Sequence, residues 1–457
     1  MFDESQSIVC RVESEIDTYE KLGHVVEHDP VQLIDSVFDV LKKCQNHLGG
    51  HFFNICAAGL ATQRSSFVCW DKLTGDAFMP IISWQDRRTV NDLAQYNNSV
   101  EYIHETTGLY LNPHYGASKI SWCLQNEKLL EQPLKDNRLC IAPLASFILF
   151  HLLEGRPYKV DPANASRTLL MDSKSLEWDT KLLEVFGIPQ TVLPEIVDTQ
   201  CEFGNINYDN HRIPLTICTG DQSAAIYASG KPSADSLYVN IGTGAFVQKY
   251  SDKKPEVQQT KLLSSVIFSS CNTNSYVIEG TVNGAARALD WLSHKYQQSN
   301  VEKDLDEWAI HCQNPSIFIN GISGVGSPYW IPDLKSYFLQ QGSLEEEFVG
   351  VLESIVFLIF SNIKAMGKLG ENQSKVIVTG GLSKSDALCQ KLSDLSNNVV
   401  KRNLESEATT LGVYFLMTGK KVDVTKSKFK EFFPTKNSLL ASRYERWSKK
   451  MDLLAEQ

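Results

Sequence analysis

One arrangement recurs in both halves of the chain: a short apolar run ends abruptly in polar residues or glycines. Ile55 to Ala61 gives way to Gln63-Arg64-Ser65-Ser66, and Phe78 to Ile82 to Trp84-Gln85-Asp86-Arg87-Arg88. Ile213 to Cys218 ends in Thr219-Gly220-Asp221-Gln222, Ser236 to Ile241 in Gly242-Thr243-Gly244, and Val376 to Val378 in Gly380-Gly381. Short apolar runs bounded by turn residues read as buried strands. Polar groups just past the ends of such strands are where open α/β sheets put ligand sites. The pattern predicts an α/β protein with two related domains facing each other across a cleft. The chain has 457 residues, more than one hydrophobic core usually serves. Gly230-Lys231-Pro232-Ser233 is the natural punctuation, which divides the chain into residues 1–230 and 231–457.

Between these runs the helix signals are local. Asp29-Pro30 joins an N-cap carboxylate to a proline at the first helical position, and Leu33, Ile34, Val37, Leu41 and Cys44 form an apolar stripe behind it. Ser343 with Glu346 is a capping box opening a helix to about Met366. A further helix start is expected at Ser383 with Asp386, and Ile8, Cys10 and Val12 alternate as an opening strand would.

Composition removes several function classes. A formal charge of −10 argues against a general nucleic-acid binder, although magnesium and backbone amides can neutralise a triphosphate without a basic surface. Eleven cysteines occur singly with no C-x-x-C pair, which fits reduced thiols rather than a disulfide framework or a zinc site. The ten histidines show no metal-ligand spacing. No signal peptide is expected from the opening residues, and the apolar run Ile355 to Phe360 is too short to cross a bilayer. A cytoplasmic protein without membrane insertion is expected, and homo-oligomerisation is compatible with it.

Several strand ends could carry chemistry. Asp221, behind Gly220 at the mouth of a strand, can take a proton from a substrate hydroxyl, or it can simply cap a helix beginning at Ser223. Gly242-Thr243-Gly244 can converge amides and a hydroxyl on an anionic oxygen, or be a hairpin turn. Gly380-Gly381 before a capped helix can take an anion or a nucleotide, or be a plain β–α turn. Gly324-Val325-Gly326-Ser327-Pro328-Tyr329-Trp330 could be a hinge or a cleft loop, and Asp86-Arg87-Arg88 reads most simply as a solvated charge cluster.

Taken in order, the motifs resemble the FGGY carbohydrate-kinase family, and most of all its glycerol-kinase branch. They are Val26-Glu27-His28-Asp29-Pro30, Thr62-Gln63-Arg64, Ser83-Trp84-Gln85-Asp86-Arg87-Arg88-Thr89, Thr107-Gly108-Leu109 and Asn112-Pro113. Asn164-Ala165-Ser166-Arg167-Thr168, Leu182-Leu183-Glu184-Val185 and Ile188-Pro189 follow. Gly220-Asp221-Gln222, Gly242-Thr243-Gly244, Glu279-Gly280, Gly326-Ser327-Pro328-Tyr329-Trp330, Gly380-Gly381 and Thr410-Leu411-Gly412 complete a set spanning nearly the whole chain.

The resemblance implies two actin-like (ribonuclease H-like) domains with ATP, Mg2+ and a small polyol or sugar between them. Asp221 would then match the catalytic base. Arg64, Ser65, Trp84, His114, Asp221, Gln222 and Phe246 would fall at polyol positions. Gly242, Thr243, Gly244, Ala286, Gly380, Gly381 and Ser385 would fall at nucleotide positions. The expected reaction is phosphorylation of glycerol to glycerol 3-phosphate, with another polyol or a ketose as the alternative.

Three departures qualify that expectation. Ser65 stands where the family usually has Glu, and His114 where it usually has Tyr, which changes the hydroxyls that can be bound. Ala286 and Asp290 replace a Gly and a Gln, and Asp290 would add charge near the nucleotide unless it faces away. The family also opens with a strand and an Asp-x-Gly-Thr loop that holds metal and phosphate. The chain starts inside the following strand, so no metal ligand is identified and a catalytically impaired pseudokinase is a further expectation.

Overall fold

A computed structural model of the protein describes residues 1–5, 7–21, 24–271, 273–298, 301–369, 374–402, 407–420 and 429–456. Among these, the main strands fall into two groups. Residues 19–220 build an antiparallel five-stranded sheet in the order Tyr19–Lys21, Val25–His28, Ile81–Ile82, Phe67–Asp71, Leu139–Pro143. They also build a three-stranded sheet, in which Ala58–Thr62 runs parallel to His211–Gly220 and Gln200–Tyr208 lies antiparallel beyond it. Thr62 stands opposite Gly220, so the polar residues following both strands leave the sheet at one edge. Residues 236–432 build a seven-stranded mixed sheet: Leu263–Ser270, Thr273–Val282, Ala245–Ser251, Ser236–Ile241, Lys375–Thr379, Val399–Arg402, Lys430–Phe432. Asn240 faces Thr379 across its parallel centre, which brings Gly242 and Gly380 to the same end.

The predicted helix starts hold in detail. Asp29 caps helix Pro30–Leu48 by accepting from the amides of Val31 and Gln32. Ser343 and Glu346 close the capping box of helix Leu344–Gly367. That helix is long and apolar enough to cross a membrane by length and composition, yet most of it is buried inside the protein. It packs with Trp447, Phe318 and the seven-stranded sheet in one large core. Its buried Glu353 is satisfied by Arg443 and Lys391.

The two groups of strands touch through specific polar and apolar contacts. Thr199 and Ser269 exchange amide-to-hydroxyl hydrogen bonds of 3.1 Å each way, and the amide of Ser264 donates to the Gly108 carbonyl. Trp330 donates its indole N–H to the Lys261 carbonyl and sits 5.1 Å from the ring of Tyr110. Helix Ala408–Thr418 lies over strand Ala58–Thr62 and helix Asp221–Ala225. The approach is so close that a Cβ on Gly412 would collide with the Ala224 carbonyl oxygen, and one on Gly59 with Val413.

Four local expectations are corrected. Ile8 to Val12 forms no strand: Ile8 makes a single bridge to Phe2, and only Cys10 of the alternating set is buried, against Cys44. Alternation without a neighbouring strand has nothing to pair with. Ile55 to Ala61 becomes a strand only from Ala58 and is half-buried, because Ile55 closes a 3-10 turn onto Phe52. The run at Phe78 shrinks to Ile81–Ile82, since Pro80 offers no amide to a ladder. Ser383 lies in a 3-10 turn, and the following helix, Asp386–Ser396, is capped by Ser385.

Gly412→Ala is expected to cost about 1–3 kcal/mol, because it pries helix Ala408–Thr418 from its seat. Gly367→Ala, where a Cβ meets nothing within 4 Å, should be neutral or stabilising by up to about 1 kcal/mol. Thermal unfolding of both variants checks the contrast, and equal behaviour contradicts the close packing.

Candidate active site

Strand His211–Gly220 ends directly in helix Asp221–Ala225, with Gly220 as its N-cap and Asp221 at its first position. Asp221 therefore is not the cap that a helix beginning at Ser223 would require. Its carboxylate accepts only from the neighbouring Gln222 amide at 2.7 Å, and its carbonyl receives the Thr409 hydroxyl. A half-buried carboxylate at a strand mouth, not consumed by capping, can accept a proton from a bound hydroxyl. Arg64, two residues past the end of the parallel neighbouring strand, is near enough to feel the Asp221 charge. The guanidinium donates to Gln222 Oε1 at 2.9 Å and to Ser223 Oγ at 3.3 Å. A Cβ on Gly220 would run into the Arg64 stem, so glycine is what lets the two strand ends approach.

A buried ion cluster sits behind them. Glu279, fully buried in strand Thr273–Val282, pairs with Arg167 and lies 3.7 Å from Arg64. Gln248, directly opposite Glu279 in the ladder, donates to it at 3.2 Å. Burial raises the pKa of the Glu279 carboxyl, but Arg167 and Arg64 together outweigh it and hold the group below its ordinary value. Arg64 is pulled down by burial and by neighbouring Arg167, but a guanidinium stays protonated in proteins.

Trp84 and His114 form a second wall, their rings edge to face at 5.5 Å. Burial, then Lys119, Arg167 and Arg64, push the His114 pKa well below its ordinary value, so its imidazole is neutral and offers one donor and one acceptor. Ser65 is buried at a left-handed φ of 65°, uncommon for a side-chain-bearing residue, and its hydroxyl has no partner. Phe246 lies two residues before Gln248 on the same strand and so shares its face.

On the other side, Gly242-Thr243-Gly244 is the three-residue hairpin between strands Ser236–Ile241 and Ala245–Ser251. It is also more than a turn. The carbonyls of Gly242 and Thr243 accept from the amides of Ala285, Ala286 and Arg287, which occupies the start of helix Ala286–Tyr296. Asp290 is exposed on that helix. Gly380 has φ 93° and is packed against Ile241, whereas a Cβ on Gly381 would meet nothing within 4 Å. The Ser385 hydroxyl is committed, donating to Asp306 and accepting from Leu388. Asp306 also takes the amides of Asp386 and Ala387, so that helix start already holds an anion. A groove lined by Gln222, Gln248, Asn240 and Thr379 joins the two sides.

Asp86-Arg87-Arg88 is not a solvated run. Asp86 is fully buried, accepts the Val26 amide and pairs with Arg88, which also binds Glu27. Only Arg87 is exposed. Buried polar side chains of this region without an assigned role in the sequence are Arg167, Glu279, Gln248 and Lys119. Only Glu279 carried a local signal, as the one charged residue of strand Thr273–Val282; Arg167 lies in the polar turn Ser166–Thr168, Gln248 stands next to Lys249, and Lys119 lies between Ser118 and Ser121.

Residues 1–228 match the N-terminal domain of the FGGY family of carbohydrate kinases, and residues 237–418 match its C-terminal domain. The chain is 32% identical to a glycerol kinase of Alteromonas mediterranea over 404 residues, covering 86% of this chain and 81% of that one. The fold superposes on a Plasmodium falciparum glycerol kinase with ADP at a TM-score of 0.88 and 23% identity, covering 100% of this chain and 94% of that one. It also superposes on a Lactobacillus acidophilus gluconate kinase at a TM-score of 0.84 and 19% identity, covering 99% and 95%. The architecture is the two-domain, actin-like arrangement of such kinases.

Glu279→Gln is expected to cost about 3–5 kcal/mol at pH 7, because it strands two buried guanidiniums. The folded-state pKa of Glu279 lies below its unfolded value. Its stabilisation is therefore present above about pH 4.3 and is lost as pH falls through the folded pKa, where the unfolded chain binds the proton first. Urea unfolding at pH 7 and at acid pH should show the variant less stable at neutrality, with a shallower acid decline. An unchanged midpoint at pH 7 contradicts the cluster.

Proposed function

This chain belongs to the FGGY family of carbohydrate kinases, phosphotransferases that act on an alcohol group of a small sugar or polyol, and we propose that its own acceptor is glycerol, phosphorylated at a terminal hydroxyl with MgATP as donor. The observation that carries the proposal is Asp221: a carboxylate at the floor of the cleft, beside Arg64 and Gln222, with its oxygens not spent on capping. In this account Arg64, Gln222 and the neutral imidazole of His114 hold the acceptor hydroxyls. Trp84 and Phe246 line its carbon chain. Asp221 takes the proton as the hydroxyl oxygen becomes the nucleophile.

The donor side fits a nucleotide on the space available. A Cβ on Gly242 would meet only the Gly244 carbonyl oxygen within 4 Å and one on Gly381 would meet nothing, and Thr243 is exposed at the hairpin tip. Gly242, Thr243, Gly244, Gly380 and Gly381 would hold the nucleotide, while Ala286 and Ser385 shape the helices beside it. Among the described residues no group of three or more His, Cys, Asp or Glu is gathered for a metal. Mg2+ would arrive largely on the nucleotide phosphates, as magnesium commonly does. MgATP supplies the phosphoryl group; the protein contributes alignment, the general base and exclusion of water. A cytoplasmic enzyme acting on free polyol is the corresponding setting.

A ketose or longer polyol is a second candidate, favoured by Ser65. A short buried hydroxyl without a partner leaves room and hydrogen-bonding capacity that a longer acceptor can use.

ADP release by the purified protein over a panel of glycerol, longer polyols and ketoses separates the two, with glycerol expected to give the highest kcat/KM. Ketose turnover without glycerol turnover would assign the longer acceptor. Asp221→Asn is expected to lower turnover by about 10²–10⁴-fold with nucleotide affinity nearly unchanged. Wild-type turnover in that variant removes Asp221 from the role of base.

A further inference from the structure

Helix Gly116–Asn126 sends Lys119 into the interior, where it is fully buried. An ammonium has three donors, and each goes to a backbone carbonyl: Ser83 at 2.9 Å, His114 at 3.1 Å and Trp84 at 3.5 Å. These carbonyls belong to two loops that are separate in sequence but carry the two facing aromatic rings of the acceptor wall. The Trp84 amide is fixed further by the Ser66 hydroxyl at 2.9 Å. The His114 amide is fixed by Asn112 at 2.9 Å. Lys119 grips both loops at once, beside the hydrogen bond of the His114 ring to the Trp84 backbone.

We propose that Lys119 is a positioning residue for the acceptor: a buried ammonium clamp that sets the separation of Trp84 and His114, and whose charge is needed for tight acceptor binding. The proposal rests on Trp84 and His114 being acceptor walls. Lys119 itself touches no substrate.

The clamp is poised to loosen near neutrality. Burial lowers the Lys119 pKa to about 7, with nearby Asp86 acting to raise it, Arg88 to lower it and Cys123 to raise it. Asp86 and Arg88 are locked in their own ion pair, and His114 is already neutral in this range. As pH rises through the Lys119 pKa, the amine keeps two N–H donors for three carbonyls and turns a lone pair toward the third. The loops then part, and acceptor affinity falls while the nucleotide side is untouched.

Steady-state kinetics of the wild-type protein, Lys119→Met and Trp84→Ala test this, with glycerol and, in parallel, the best acceptor of the panel. Wild-type acceptor KM is expected to rise between about pH 6 and pH 9 with nucleotide KM flat, following loss of the ammonium. Lys119→Met, close in shape but without donors, is expected to raise acceptor KM about tenfold to a hundredfold. It should leave nucleotide KM unchanged and flatten the pH dependence of acceptor KM. An acceptor KM in Lys119→Met equal to wild type, or a loss shared equally by acceptor KM, nucleotide KM and thermal stability, overturns the clamp. Should Lys119→Met fail to fold, the wild-type profile decides: an acceptor KM that is flat with pH overturns it. If Trp84→Ala leaves acceptor KM unchanged, the acceptor wall is misplaced and the clamp's purpose falls with it. A raised KM in Trp84→Ala beside an unchanged one in Lys119→Met sinks the clamp alone.

Discussion

The rest of the site depends on one carboxylate shared by two guanidiniums. Glu279 belongs to the seven-stranded sheet, whereas Arg64 and Arg167 come from the first half of the chain. All three are buried, and burying unpaired charges costs several kcal/mol each. Each half therefore tolerates its charges only when the other half is in place. That requirement fixes the floor of the cleft. It holds Arg64 where it can bind Gln222 and face Asp221, and it draws Gln248, and with it the face carrying Phe246, toward the same point.

From that floor the two sides of the cleft divide the chemistry between them. The first side offers hydrogen-bonding groups of mixed character and aromatic surface, which suits a neutral, hydroxyl-rich molecule. The second offers glycine turns that are open at Gly242 and Gly381 and closely packed at Gly244 and Gly380. The helix starts next to those turns are already satisfied, by hairpin carbonyls at Ala286 and by Asp306 at Asp386. A phosphate chain in the cleft would therefore meet turn backbone and the Thr243 hydroxyl rather than a helix N-terminus. The fold alone would not choose a substrate, since one architecture hosts many acceptors. In the account proposed here the choice would lie in Ser65, His114 and their surroundings.

Much of this could be read from the sequence because it is local. Apolar runs ending in polar clusters located Arg64, Trp84, Asp221 and the glycine turns. Asp29-Pro30 and the Ser343–Glu346 box gave helix starts that the structure reproduces. What could not be read depends on partners far away in the chain. Asp86 and Arg88 look like surface charges until Glu27 and Val26 enclose them. Arg167 and Glu279 are 112 residues apart, and no spacing rule joins them. Lys119 is hidden for the same reason, since its acceptors are backbone carbonyls in two loops. The strand expected at Ile8 to Val12 fails on the same ground, because pairing is decided by neighbours and not by alternation alone.

The central claim is that Asp221 and Arg64 meet the acceptor at one point of the cleft while the glycine turns face it with the nucleotide. A crystal structure with glycerol and a non-hydrolysable ATP analogue tests that most directly. The account predicts a terminal hydroxyl within about 3 Å of the Asp221 carboxylate, a second hydroxyl on Arg64, and the phosphates over Gly242 to Gly244. Glycerol bound away from Asp221, or phosphates lying on a different surface from those turns, would contradict it.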